Sequence, residues 1–157
     1  PGQVLDAARE LVVLQFAKSE REVRDGMDIS FCVFNKKTNE INWAGAYNPL
    51  WIVRDGALIE FKGDKQPIGN GYKNEPFTTH KISVQKDDQL YLFSDGYADQ
   101  FGGKRGTKLM RGNFKKLMLG LREKRMSDQD TLLLDYFAKW KADLEQVDDV
   151  CVIGVRL

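Results

Sequence analysis

Apolar residues recur at helical spacing from Val4 to about Ser19, where Leu5, Ala8, Leu11, Val12 and Phe16 form one stripe and predict an amphipathic first helix. The period then changes to two. In "MDISFCVFNKKTNEINWAGA" the alternation of Ile29, Phe31 and Val33, broken by the polar turn Lys36 to Glu40, predicts a hairpin. "PLWIVRDGALIEF" repeats the pattern around Asp55-Gly56, the strongest short-range turn signal in the chain. Lys62 to Thr79, with Gly63, Gly69, Gly71, Pro67 and Pro76, reads as an ordered connection, a lid or a plain loop. "HKISVQKDDQLYLFSDG" supplies two strands split at Lys86-Asp87-Asp88. After Gly103 the period returns to 3.6. Phe114, Leu117 and Leu121 mark one helix, and Leu133, Phe137, Trp140 and Leu144 another, with Ser127 and Asp130 reading as its capping box. "DDVCVIGVRL" closes the chain as a strand that must return to the sheet. This order predicts an α+β fold in one domain, residues 1–157, without internal repeat or linker.

Composition narrows the classes. With 42% hydrophobic and 30% charged residues the chain reads as a soluble globular protein, and its net charge of +1 offers no general field for a nucleic-acid partner. The locally basic "KKLMLGLREKR" reads as a solvated helix face. Cys32 and Cys151 show neither CxxC nor metal spacing and are expected to be buried as small apolar side chains in a reducing, cytoplasmic setting. No apolar run approaches the ~18 residues of a membrane span, so no membrane contact is expected. The chain begins at Pro1 with neither Met nor a signal pattern and reads as cut from something longer.

The chemistry concentrates at two strand ends. Asp95 follows "QLYLF" and Asp148-Asp149 precede "VCVIGV", both expected to be strands buried along their lengths. Were those strands antiparallel neighbours, the carboxylates would lie about one strand spacing, ~5 Å, apart and need a proton or cation between them. Hard ions such as Mg²⁺ and Mn²⁺ suit such oxygen donors. From spacing alone, Ser94-Asp95-Gly96 reads first as a turn, and Asp149 as a cap or turn residue. His80 lacks a Ser, Cys or second His partner and reads as structural, as do Trp43, Trp51 and Trp140 by their periodicity. "GDKQPIGNG" and "FGGKRG" match neither GxGxxG nor the P-loop.

Five blocks in order, "DGMDISFCVF", "INWAGAYNPLWIV", "KQPIG", "LYLFSDGYADQFGG" and "LEQVDDVCVIGVRL", resemble the SpoIIE-type branch of the metal-dependent PPM serine/threonine phosphatases. The resemblance implies a β-sandwich flanked by helices, an α+β fold here without its first strands, and a chain that is the C-terminal portion of a phosphatase domain. It implies Asp95 and Asp148 as metal ligands for Mn²⁺ or Mg²⁺, a binuclear centre in the complete domain, and water activated by the two ions for attack on phosphoserine or phosphothreonine. Further ligands belong to an Asp-rich strand and an Asp-Gly-x-Gly-His-Gly-like motif expected upstream; Asp25-Gly26 is not that motif. The implied partners are a phosphoprotein substrate of the anti-sigma-antagonist kind and an upstream sensor domain. The fragment itself is expected to be poorly active or inactive. It is also expected to self-associate through its first helix, an exposed sheet edge, or both. Tyr47 stands near a common His and Asp99 where Glu is common, so substrate contacts depart from the pattern. The alternative reading is a non-catalytic module that keeps the phosphatase fold for protein interaction.

Overall fold

The computed structural model describes residues 1–18, 26–71 and 74–157. In chain order these form α1 (Gly2–Phe16), β1 (Gly26–Met27), β2 (Ile29–Asn35), β3 (Glu40–Ala46), β4 (Leu50–Arg54), β5 (Ala57–Phe61), β6 (Ile68–Gly69), β7 (His80–Ser83), β8 (Gln89–Phe93), α2 (Gly96–Asp99), β9 (Phe101–Gly102), β10 (Thr107–Lys108), α3 (Arg111–Leu121), α4 (Met126–Lys141) and β11 (Val152–Arg156). This is a mixed α+β fold with antiparallel sheets and four helices. The elements gather into two compact units, Pro1–Leu50 with Glu60–Lys86, and Trp51–Ile59 with Asp87–Leu157.

The first unit holds the antiparallel sheet β2-β3-β7 and the short β1-β6 ladder. Leu5 of α1 is buried with Ala44, Ala46, Ile68 and Phe77, while Ala8 and Val12 pack on the same cluster. Arg9 lies on this inner face too. Its guanidinium donates to Gln66 Oε1 at 3.1 Å, the Glu75 carbonyl at 2.9 Å and Asp6 at 2.9 Å, and covers the Phe77 ring. These bonds satisfy a cation that burial would otherwise penalise, and they order the connection beginning at Lys62, which reads from sequence as irregular yet contributes β6. The expected stripe is corrected at Leu11, which is 64% exposed. Arg9 takes inner-face space, so the buried side runs Leu5, Ala8, Arg9 and Val12. The expected helix end at Ser19 lies outside the described residues, as does Asp25. His80 packs its ring against Trp43 at 5.2 Å and Phe61 at 6.3 Å, in the structural role expected of it.

The second unit is built on the sheet β11-β8-β4-β5. Asp55 and Gly56 have φ of 49° and 76°, the two left-handed residues that a type I′ turn needs to join β4 to β5. Trp51, Val53, Tyr91, Phe93, Tyr97, Phe114, Met118 and Leu133 form the core under α3 and α4. Asp88, nearly inaccessible, is held by a two-pronged Arg54 contact at 2.9 and 2.6 Å. Three expectations fail here. Ser127 does not cap α4: it is already helical, no side chain caps the helix, and Arg125 pairs with Asp128 across the first turn instead. Leu144 lies beyond the helix, which stops where Ala142 turns to a φ of 48°. Cys151 is exposed and Cys32 only half-buried, and β11 is largely exposed rather than buried, because it is the outermost strand of its sheet among the described residues.

Candidate metal centre

The two acidic strand ends meet within the second unit. β8 and β11 pair antiparallel, in register from Val152↔Phe93 to Arg156↔Gln89, so β8 ends where β11 begins. One residue beyond the ladder, Ser94 N–H donates to the Cys151 carbonyl at 3.0 Å. The Ser94 hydroxyl donates to the Asp149 carbonyl at 2.8 Å and accepts the Cys151 N–H at 2.9 Å. After Ser94 the chain enters α2 at once, with Asp95 at the N-cap position and its carbonyl accepting from Ala98 and Asp99. The Asp-Gly pair therefore starts a helix rather than closing a β-turn.

Gly96 shows why no side chain follows Asp95. A Cβ there would stand 2.4 Å from the Asp149 carbonyl oxygen and 3.3 Å from Asp148 Cβ. Residues on both sides of Asp95 are thus locked to the backbone of Asp148-Asp149. The loop carrying Asp148 has a second anchor in Gln100, fully buried, whose amide donates to the Glu145 carbonyl at 2.8 Å while its own carbonyl accepts Trp140 Nε1 at 3.0 Å. Gln146 Nε2 donates to the Asp148 carbonyl, and Asp148 Oδ1 accepts the Asp149 N–H at 2.7 Å.

Asp95, Asp148 and Asp149 all present exposed carboxylates. Oxygen donors on fixed mounts suit hard divalent ions, so the chemistry of this donor set fits Mg²⁺ or Mn²⁺. Among the described residues no group of three or more His, Cys, Asp or Glu side chains is arranged to hold a metal ion. The pair supplies part of a coordination shell. Asp99 is engaged elsewhere, in an ion pair with Lys108 at 2.7 Å, and Tyr47 belongs to the first unit, exposed, with a left-handed φ of 56°. The roles of Ser94, Gly96 and Gln100 are absent from the sequence reading. The signal for Gln100 was a polar residue in an otherwise apolar, glycine-ended run.

The family model of Stage II sporulation protein E (SpoIIE) matches residues 1–157. No curated protein sequence matches the chain. The SiaA-PP2C domain of Pseudomonas aeruginosa superposes with a TM-score of 0.88 at 20% identity, over 100% of this chain and 61% of that one. The phosphatase domain of the cell fate determinant SpoIIE from Bacillus subtilis gives 0.62 at 14% identity, over 98% and 71%. The catalytic domain of the serine/threonine phosphatase PstP, solved in complex with two manganese ions, gives 0.68 at 14% identity, over 95% and 66%. The chain thus spans about three fifths of the SiaA domain's length. The α+β arrangement is that of PP2C phosphatase domains. No helix among the described residues is long and apolar enough to cross a membrane.

Proposed function

Because the chain belongs to the SpoIIE family, we propose that it is the C-terminal portion of a metal-dependent phosphoserine/phosphothreonine protein phosphatase domain of a cytoplasmic signalling protein. The supporting observation is the β8–β11 pairing, which sets Asp95 against Asp148 through the Ser94 hydroxyl and the bare Gly96. Asp95 and Asp148 are the residues that would hold Mn²⁺ or Mg²⁺. When bound, such ions lower the pKa of a coordinated water and neutralise charge developing on phosphoryl oxygens. The chain's own part is positional. Ser94, Gly96 and Gln100 keep both carboxylates in place without a cation, so little reorganisation accompanies binding. The substrate is a phosphoprotein, of the kind that antagonises anti-sigma factors, and an upstream sensor domain governs the site.

With two carboxylates the chain alone should bind Mn²⁺ weakly and turn over slowly or not at all. The test is Mn²⁺ binding followed by loss of its paramagnetic resonance signal, together with phosphate release from a phosphoserine peptide, on this chain and on a form extended upstream. Weak binding by the chain and strong binding with turnover by the extended form are expected. A folded extended form that neither binds Mn²⁺ nor releases phosphate would instead identify a protein-interaction module. Full activity of the short form would refute the claim that ligands lie outside it.

A further inference from the structure

β11 is an open edge. Among the described residues it has β8 on one side and no strand on the other, which leaves a row of outward N–H and C=O groups, a template for another strand. Sheet edges are commonly blunted by proline, inward charge or a bulge. β11, "VIGVR", has none of these: its register with β8 is unbroken and its one charge stands at the end. Ile153 and Val155 are 52% and 46% exposed on one face. On the other face a groove of about 580 Å³ runs between β11 and α4, lined by Met126, Asp130, Leu134, Phe137, Val152 and Gly154. Gly154 keeps that groove open, since a Cβ there would stand 2.6 Å from the Met126 methyl.

The sequence of this edge is complementary to itself. We infer that β11 pairs antiparallel with β11 of a second copy of this chain, about a two-fold axis at Gly154, joining two four-stranded sheets into one. A two-fold contact uses the same patch on both copies, and here every position finds a suitable partner. Ile153 faces Val155 of the other copy twice over, the β-branched pairing that stabilises sheets. Gly154 faces Gly154, so the grooves beneath the two α4 helices become continuous. Val152 faces Arg156. α4 begins at Met126, against Gly154, and runs back toward the start of β11, where the Leu133 carbonyl accepts the Tyr97 hydroxyl. Asp130 therefore lies beside Val152. Arg156 lies at the opposite end, its guanidinium on the Arg122 and Lys124 carbonyls. The two-fold axis brings each Arg156 to the other copy's Asp130, a carboxylate without an ion pair among the described residues. This charge match and the paired apolar positions single out a second copy over an unrelated strand. The inference stands apart from the phosphatase reading.

Sedimentation equilibrium of the chain tests it, supported by amide exchange. With five residues per strand the contact is small, so the mass should rise from 18.0 kDa toward twice that value between about 10 and 500 µM. Val155→Lys, which places a charge on an already exposed position, should remain at 18.0 kDa with unchanged circular dichroism. Leu11→Glu on α1 should dimerise like the wild type. Amide exchange in β11 should slow as wild-type concentration rises. A wild type that stays at 18.0 kDa over that range overturns the inference. So does a dimer that survives Val155→Lys, or one abolished by Leu11→Glu, which would assign the contact to α1. If Val155→Lys fails to fold, wild-type exchange decides: β11 amides insensitive to concentration refute the pairing.

Discussion

Gly96→Ala changes one methyl group at the point where the two carboxylate mounts touch. The added Cβ would stand 2.4 Å from the Asp149 carbonyl oxygen and 3.0 Å from its carbon, both backbone atoms that cannot swing aside. Ordinary contact at that position needs about 1 Å more, and the strand ends can separate only by stretching the Ser94 bonds to Asp149 and Cys151, now 2.8 and 2.9 Å. Overpacking of this kind costs about 1–3 kcal/mol. Against it stands the better helix propensity of alanine, worth at most about 1 kcal/mol and less in a first turn. The overlap wins. At about 2–4 °C per kcal/mol for a chain of this size, the melting temperature should fall by about 2–12 °C. Gly120→Ala in α3 is the matched control, because nothing lies within 4 Å of its Cβ; it should gain about 0.5–1 kcal/mol. Thermal unfolding by circular dichroism measures both, and a Mn²⁺ titration of the upstream-extended form should show weaker binding for Gly96→Ala alone. If Gly96→Ala melted like Gly120→Ala and bound Mn²⁺ as the wild type does, the steric lock between Asp95 and Asp148 would be refuted.

In the extended form, Asp95→Asn and Asp148→Asn should each nearly abolish Mn²⁺-dependent phosphate release while leaving the melting curve in place, whereas Asp149→Asn should do less; equal loss at Asp148 and Asp149 would contradict the assignment. Leu5→Ala should cost about 2–5 kcal/mol in urea unfolding, and Leu11→Ala less than about 0.5, because Leu5 is 2% and Leu11 64% exposed. The reverse order would restore the stripe expected from sequence. Burial pushes the Tyr97 phenol well above its ordinary value near 10, and Tyr91 in the same direction, so the folded chain keeps protons that the unfolded chain releases. That contribution is complete below about pH 10 and is lost as pH rises beyond it. Tyr97→Phe should flatten the alkaline fall, at a neutral-pH cost of about 0.5–1.5 kcal/mol for the bond to the Leu133 carbonyl. An unchanged alkaline slope in urea titrations would remove Tyr97 from the account.

Element existence was legible from sequence wherever side-chain period expresses a single buried face. The hairpin at Asp55-Gly56, the β8 run and both later helices needed only local turn chemistry and spacing. So did the α+β class, because the order of periods along the chain restricts which layers can form. Asp95 and Asp148 stood out because a carboxylate next to an apolar strand has few reasons to be there. Tertiary structure decided what spacing cannot carry. Leu11 and Arg9 exchanged their expected places because Gln66 and the Glu75 carbonyl, far along the chain, supply the bonds that let a guanidinium be buried. Ser127 lost its capping role because α4 begins one residue earlier than the capping box requires. β7 and β8, six residues apart, entered different sheets, a choice made by partners rather than by either segment. The lock of Ser94 and Gly96 on Asp149, and the open side of β11, depend on contacts across more than fifty residues or on which strand lies alongside. A sequence records which groups could satisfy one another, and only the fold determines which of them come within hydrogen-bonding distance.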